Sequence, residues 1–340
     1  MTTHTRRDLL CRLGAGLALG GTALGAAPAR AQSLPAPSAS SADGAARLVF
    51  GIPPGAAGTM LAQAMIAQLA PRYAPPIRLE HVLGREARRS AEVVKAARPD
   101  GNTLLHAQSA LVTLFPSIYR ELGYAPLEHF TPLAALSEYT FMLLVGPRVP
   151  ASVRTLDEYL RWVGDNPGSR QVGVILKGSQ GWLMTQQLVR DRDAPLLPVG
   201  YAGTTPVVNE LLGGGLAAGI VVTGNAREAL ADGRLRALAV SSAQRWLGMP
   251  DTPSFAEQGL KDLVMTGWYG WFGPAGMPDD LTGRLRTAIG EALATPELAQ
   301  TFERLAMRPL RATPAEMRER IVNETRVYAE AVRQARLNRI

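Results

Sequence analysis

One unit recurs along the chain and limits the folds open to it: a short apolar run of strand length, a turn of small residues, then a helical pattern. Its first occurrence is the plainest. Arg47-Leu48-Val49-Phe50-Gly51-Ile52 reads as a strand, it stops at Pro53-Pro54-Gly55-Ala56-Ala57-Gly58-Thr59, and residues 60–69 carry apolar side chains at the three-and-four spacing of an amphipathic helix. The same order returns further on. Residues 77–82 precede a helical pattern over 88–97, 102–107 runs into Gln108-Ser109, and 141–145 ends at Gly146-Pro147. Residues 171–176 reach Gly178-Ser179-Gln180-Gly181, and 217–222 reach Thr223-Gly224-Asn225. Strands alternating with helices in this way predict an α/β architecture of parallel sheets with crossover helices. Ligands of such sheets gather at the carboxyl ends of the strands. The strand-end turns, with Ala57 and Thr223 among their residues, are therefore the candidate sites.

Length and composition agree with this. A chain of 340 residues suggests about two domains, and 46% hydrophobic with 19% charged residues excludes a disordered or collagen-like chain. Aromatic residues make up only 6%, so the core is expected to be mainly aliphatic. A net charge of +7 would suggest nucleic acid if it were spread over the folded part. It is not. Thr5-Arg6-Arg7-Asp8-Leu9-Leu10 precedes an uncharged stretch over residues 13–27, and Ala29-Arg30-Ala31 supplies small residues for cleavage. This reads as a secretory signal over residues 1–31, cleaved after Ala31, and the adjacent arginines resemble the twin-arginine type. The apolar stretch is shorter and richer in glycine than a membrane span of about 20 residues. Removing it takes away four arginines and one aspartate and lowers the net charge to +4, an ordinary surface. Cys11, the only cysteine, goes with it, so neither disulfides nor thiol chemistry are expected in the exported protein. Residues 32–46, rich in Ser, Ala and Pro, read as a flexible leader. Domain connections are expected near Val145-Gly146-Pro147 and Ser241-Ser242-Ala243, and residues 279–294 and 314–335 read as amphipathic surface helices.

Several residues could carry chemistry. Lys177-Gly178-Ser179-Gln180-Gly181 approaches a nucleophile elbow but has Lys177 where the first glycine of G-x-S-x-G belongs, which favours a ligand-holding turn over a catalytic Ser179. His81, His106 and His129 lack metal-ligand spacing and read as surface or core-edge histidines. The turn over residues 53–59 opens a helix, so unpaired N–H groups and a positive dipole end could hold an anion there. It matches no nucleotide-binding glycine motif. Thr204-Thr205-Pro206 could cap the next helix, present hydroxyls to a ligand, or do both. Arg85, Arg88 and Arg89 read as a solvated helix face, or as positive charge beside a cleft. The Gly267-Trp268-Tyr269-Gly270-Trp271-Phe272-Gly273 segment reads first as buried packing and only second as a stacking platform.

Taken in order, several segments resemble one family, the Bug (Bordetella uptake gene) receptors, extracytoplasmic solute-binding proteins of tripartite tricarboxylate transporters. The segments are Pro53-Pro54-Gly55, Pro99-Asp100-Gly101-Asn102-Thr103-Leu104-Leu105, Leu211-Leu212-Gly213-Gly214 and Leu235-Arg236-Ala237-Leu238-Ala239-Val240. They continue through Met249-Pro250-Asp251-Thr252-Pro253-Ser254-Phe255-Ala256-Glu257-Gln258-Gly259, Trp268-Tyr269-Gly270 and Pro274-Ala275-Gly276-Met277-Pro278. The resemblance implies a two-lobed periplasmic-binding-protein fold of type II, each lobe a mixed sheet flanked by helices with a cleft between. Residues 47–144 and 245–340 would form lobe 1 and 145–244 lobe 2. It implies no enzyme and no cofactor, but a monomeric periplasmic receptor that encloses a small organic acid by hinge closure and presents it to transporter membrane subunits. Carried over by position, it assigns ligand contacts to Pro54, Gly55 and Thr59 in the first turn, Ser109 in the next, and Ser179, Gln180 and Thr204 opposite. This chain departs from the family at Ala56 and Ala57, where relatives have glycines, and at Thr59 and Ala217, where aspartate is common. Leu183 stands in place of a histidine, and Glu86-Ala87-Arg88-Arg89 interrupts a glycine-rich stretch after Gly84. The alternatives are a receptor for signalling or for a non-carboxylate, and, in another class, a periplasmic hydrolase using Ser179.

Overall fold

The computed structural model describes residues 44–340; the expected signal and nearly all of the expected leader lie outside them. The strands are β1 (Ala46–Phe50), β2 (Ile77–His81), β3 (Thr103–Gln108), β4 (Phe130–Val145) and β5 (Gln171–Ile175). They continue with β6 (Leu197–Tyr201), β7 (Ala218–Val222), β8 (Arg236–Val240), β9 (Thr266–Pro274) and β10 (Arg308–Pro309). Their order is β2-β1-β3-β9-β4-β7-β5-β6, with β8 and β10 also pairing with β4. The predicted parallel pairs are found at the two ends, β2-β1-β3 and β6-β5-β7. Between them the pairing is antiparallel, because β9 and β4 return against β3 and β7, so the sheet is mixed rather than parallel throughout.

The 16-residue β4 belongs to both ends. Residues 130–140 pair with β9, while residues 141–145 lie between β7 and β8. The change of partners falls at Thr140 and Phe141, and the returning chain is fastened to the same point. The Phe141 N–H donates to Ser241 Oγ (3.0 Å), the Ser241 hydroxyl donates to the Met265 carbonyl (2.5 Å), and the Ser241 and Met265 N–H groups close the clasp on Phe141 and Ser241 carbonyls. Ser241 is fully buried, so these bonds satisfy groups that water cannot reach.

Helices cover the sheet. Ala57–Leu69 packs beside β2 and against Asp279–Leu293, which lies along β4, and Pro314–Gln334 also packs on β4 with a Thr313–Glu316 capping box at its start. The aromatic segment lies in β9, where Trp268 and Trp271 are fully buried as expected. Trp268 donates from Nε1 to Glu324, whose carboxyl burial pushes up while Arg320, 2.6 Å away, holds it down. Among the described residues no helix is long and apolar enough to cross a membrane.

Candidate functional site

In each parallel set the chain reverses direction beside the first strand, so β1/β3 and β5/β7 are the two points where crossovers diverge and leave a crevice at the strand ends. These two crevices face each other. From one side come the turn after β1 and Ser109 after β3; from the other come Ser179 and Gln180 after β5 and residues 223–225 after β7. Thr204 joins them after β6. Helices Ala57–Leu69, Gln180–Arg192 and Thr204–Leu212 all begin at these ends, so three helix N-termini direct partial positive charge to the same region.

The two sides touch directly. Asn225 bridges them, accepting from the Ala57 N–H at Oδ1 (2.9 Å) and donating from Nδ2 to the Gly55 carbonyl (2.8 Å). Gln180 Nε2 donates to Ser109 Oγ (3.1 Å), which also accepts from the Trp268 N–H (3.3 Å). Tyr119 OH donates to the Lys177 carbonyl (2.5 Å). Of the positions singled out in the sequence, Thr59, Ser109, Ser179, Gln180, Thr204 and Thr223 are all buried here. Ser179 caps its helix by accepting from the Trp182 N–H (3.4 Å), and Thr59 donates to the Pro53 carbonyl (3.4 Å). Thr223 Oγ1 has no hydrogen-bond partner although it is fully buried, an unmet demand of about 1–3 kcal/mol in a closed protein interior. Pro54 and Gly55 lie exposed at the tip of the first turn, and Gly55 takes a left-handed φ of 89°. Thr204 is not an N-cap: Gly203 holds that position and makes no side-chain bond, which leaves Thr204 inside the first helical turn.

Sequence reasoning missed two residues. Asn225 stood in a recognised strand-end turn, but nothing local signals a contact 170 residues away. His106, expected at the surface or core edge, is fully buried between Phe50 and Tyr269. The Trp271 indole N–H can only donate, so His106 Nδ1 accepts (3.0 Å) and Nε2 carries the proton toward the Gly58 carbonyl (3.1 Å). Burial holds this imidazole near a pKa of about 3, so it is neutral at physiological pH and fixes the start of the Ala57–Leu69 helix. Burial likewise raises the phenols of Tyr139, Tyr269 and Tyr328.

Between the sides, at the carboxyl ends of β1, β2, β5 and β6, lies a cavity of about 420 Å³ whose walls include Gly51, Pro53, Leu83, Leu176, Lys177 and Tyr201. Its size suits a small metabolite. The arginines expected beside it are engaged. Arg85 pairs with Glu92 (2.5 Å), Arg89 lies 4.0 Å from the same carboxylate, and Arg88 pairs with Glu86 (3.2 Å) while lying 3.7 Å over the Tyr119 ring.

A family model described as the tripartite tricarboxylate transporter family receptor matches residues 80–336. The chain belongs to this family. Receptors of the family are periplasmic solute-binding proteins that work with transporter membrane subunits. Protein BugT of Bordetella pertussis is 27% identical over 289 residues, covering 85% of this chain and 88% of BugT. Among solved structures, malate-bound MatC of Rhodopseudomonas palustris is 25% identical with a TM-score of 0.79, covering 85% of this chain and 98% of MatC. An adipate-bound R. palustris protein superposes with a TM-score of 0.82 at 23% identity, covering 87% and 98%, and so shares the receptor fold.

Proposed function

We propose that this receptor captures a small organic acid between the two facing crevices and delivers it to membrane subunits of a tripartite tricarboxylate-type transporter. What carries the reading is the convergence of three helix N-termini and buried hydroxyls on one cleft, in a chain of this family. Donors fixed in place can hold a carboxylate without a desolvated cation. The bound acids of MatC and of the adipate-binding structure support the same ligand class. The reading includes ligand contacts by Pro54, Gly55, Ala57, Thr59, Ser109, Ser179, Gln180, Thr204 and Thr223. The Asn225, Gln180 and Ser179 bonds described above would be exchanged or shared when an acid enters. It also includes export by a cleaved twin-arginine-type signal over residues 1–31, a monomeric state, and two lobes, 47–144 with 245–340 against 145–244. The partner change within β4 supports a hinge close to these boundaries.

Hydrolysis at Ser179 is disfavoured because each described histidine is bonded elsewhere: His81 to the Ile52 carbonyl, His106 to Gly58 and Trp271, and His129 to the Ala125 N–H. The test is a thermal-shift screen of the exported form against mono-, di- and tricarboxylates, amino acids and neutral sugars. An acid at about 100 times its Kd should add roughly 2.7 kcal/mol of stability. Stabilisation by sugars and by no acid would overturn the proposal.

A further inference from the structure

The cavity between the strand ends has one wall built at conformational cost. Arg85, Glu86 and Ala87 occupy the left-handed region in succession, with φ of 51°, 50° and 68°, where L-residues other than glycine ordinarily appear singly. Opposite them Leu176, on the other wall, also has a left-handed φ of 64°. Such positions persist only where the surroundings fix them, and they concentrate at ligand clamps. The surroundings do fix them. A Cβ on Gly51 would lie 2.5 Å from Ala87 Cβ, so the loop sits directly on β1's end, and Ser90 Oγ donates to the Ala87 carbonyl (2.7 Å).

The charges are arranged just as specifically. Glu86 is neutralised by Arg88, and Arg85 by Glu92. Lys177 lines the cavity and is exposed, and its ammonium makes no ion pair or hydrogen bond among the described residues. Its main chain is held by Tyr119 OH, and a Cβ on the adjoining Gly178 would meet Ile118 at 2.7 Å, so the lysine's backbone is pinned while its side chain is unpaired. Glu86, paired with Arg88, also lines the cavity, and its apolar lining includes Leu83, Leu176, Pro53 and Tyr201.

We propose that this cavity is the distal subsite of the cleft, where Lys177 pairs with the second carboxylate of an extended α,ω-diacid whose methylene chain lies against Leu83, Leu176 and Tyr201. This rests on the organic-acid reading above. It commits the receptor to diacids over monoacids of the same length and makes Lys177 the residue that sets this preference.

The experiment is titration calorimetry of the exported protein with a homologous series of straight-chain dicarboxylates and length-matched monocarboxylates, repeated with Lys177→Met and Lys177→Arg. The expected result is tighter binding of the best diacid than of its monoacid. Lys177→Met should lose about fivefold in affinity for the diacid and leave the monoacid unchanged, and Lys177→Arg should restore the preference. Equal loss for both acids, or no loss for either, overturns the distal subsite while leaving the acid receptor intact. Binding of no acid at all, by any of the three proteins, overturns the acid reading itself and the subsite with it.

Discussion

His106 shows how a single buried side chain prepares the cleft. Its folded-state pKa of about 3 lies below the unfolded value near 6.5, so between these pH values the unfolded chain binds the extra proton. Stability from this group is therefore full above pH 6.5 and is lost as the pH falls toward 3. The loss between pH 6.5 and 5 should be about 2 kcal/mol. Urea unfolding at the two pH values measures it, and His106→Gln should show a shallower loss than the parent. Gly58, whose carbonyl His106 holds, makes a second test. A Cβ there would lie 2.7 Å from the Phe50 ring and 2.8 Å from that of Tyr269. Helix propensity alone would favour Gly58→Ala by about 1 kcal/mol, whereas overpacking should cost about 1–3 kcal/mol. A net drop in the unfolding midpoint is expected, and a rise would show that the aromatic wall yields. Neither effect could be read from the sequence. The glycines of residues 53–59 announced a turn, but the rings that crowd Gly58 come from β1 and, more than 200 residues on, from β9.

Elements were legible where one segment carries its own punctuation. β1, β3, β5 and β7 end near Gly, Pro or Ser, and the helices beginning at Asp279 and Pro314 carry clear amphipathic periods, so their places were anticipated to within a few residues. Other strands were not anticipated, among them the first part of β4 and β6. The first part of β4 contains Pro132 and shifts register between Pro132 and Ala134 and again between Ala135 and Ser137, which breaks the alternation a strand normally shows. β6 carries Pro198 and survives as a strand because it lies at the edge, with β5 as its one sheet neighbour. The clasp on β4 is also invisible locally, since Ser241 lies 100 residues from Phe141. Ser241→Ala would leave the Phe141 N–H and the Met265 carbonyl without their buried partner. A destabilisation of about 1–3 kcal/mol is expected in chemical denaturation. An unchanged midpoint would mean that water or backbone rearrangement replaces the hydroxyl.

At the scale of the whole molecule, the family and the two-sided cleft were legible from the order of many weak segments, but the contacts that join the sides were not. Asn225 couples them through the Gly55 carbonyl and the Ala57 N–H. Removing it in Asn225→Ala should favour a more open population, seen as a larger radius of gyration in small-angle scattering without ligand. The apparent affinity for any acid should fall several-fold, because less of the protein is competent to bind. An unchanged scattering profile with unchanged affinity would show that the bridge does not govern closure.

The shared strand β4 bears on how far the protein can be divided. Residues 141–145 are the rib between β7 and β8, so a fragment spanning 145–244 would lack its middle and present two bare edges, while the complementary piece would end in a stub with nothing to zip onto. Each half is thus an incomplete garment without the other. Severed at Gly146, the pieces are expected to regain a native far-ultraviolet spectrum only when mixed, and the joint proposed for closure is the same thread that makes the protein one folding unit.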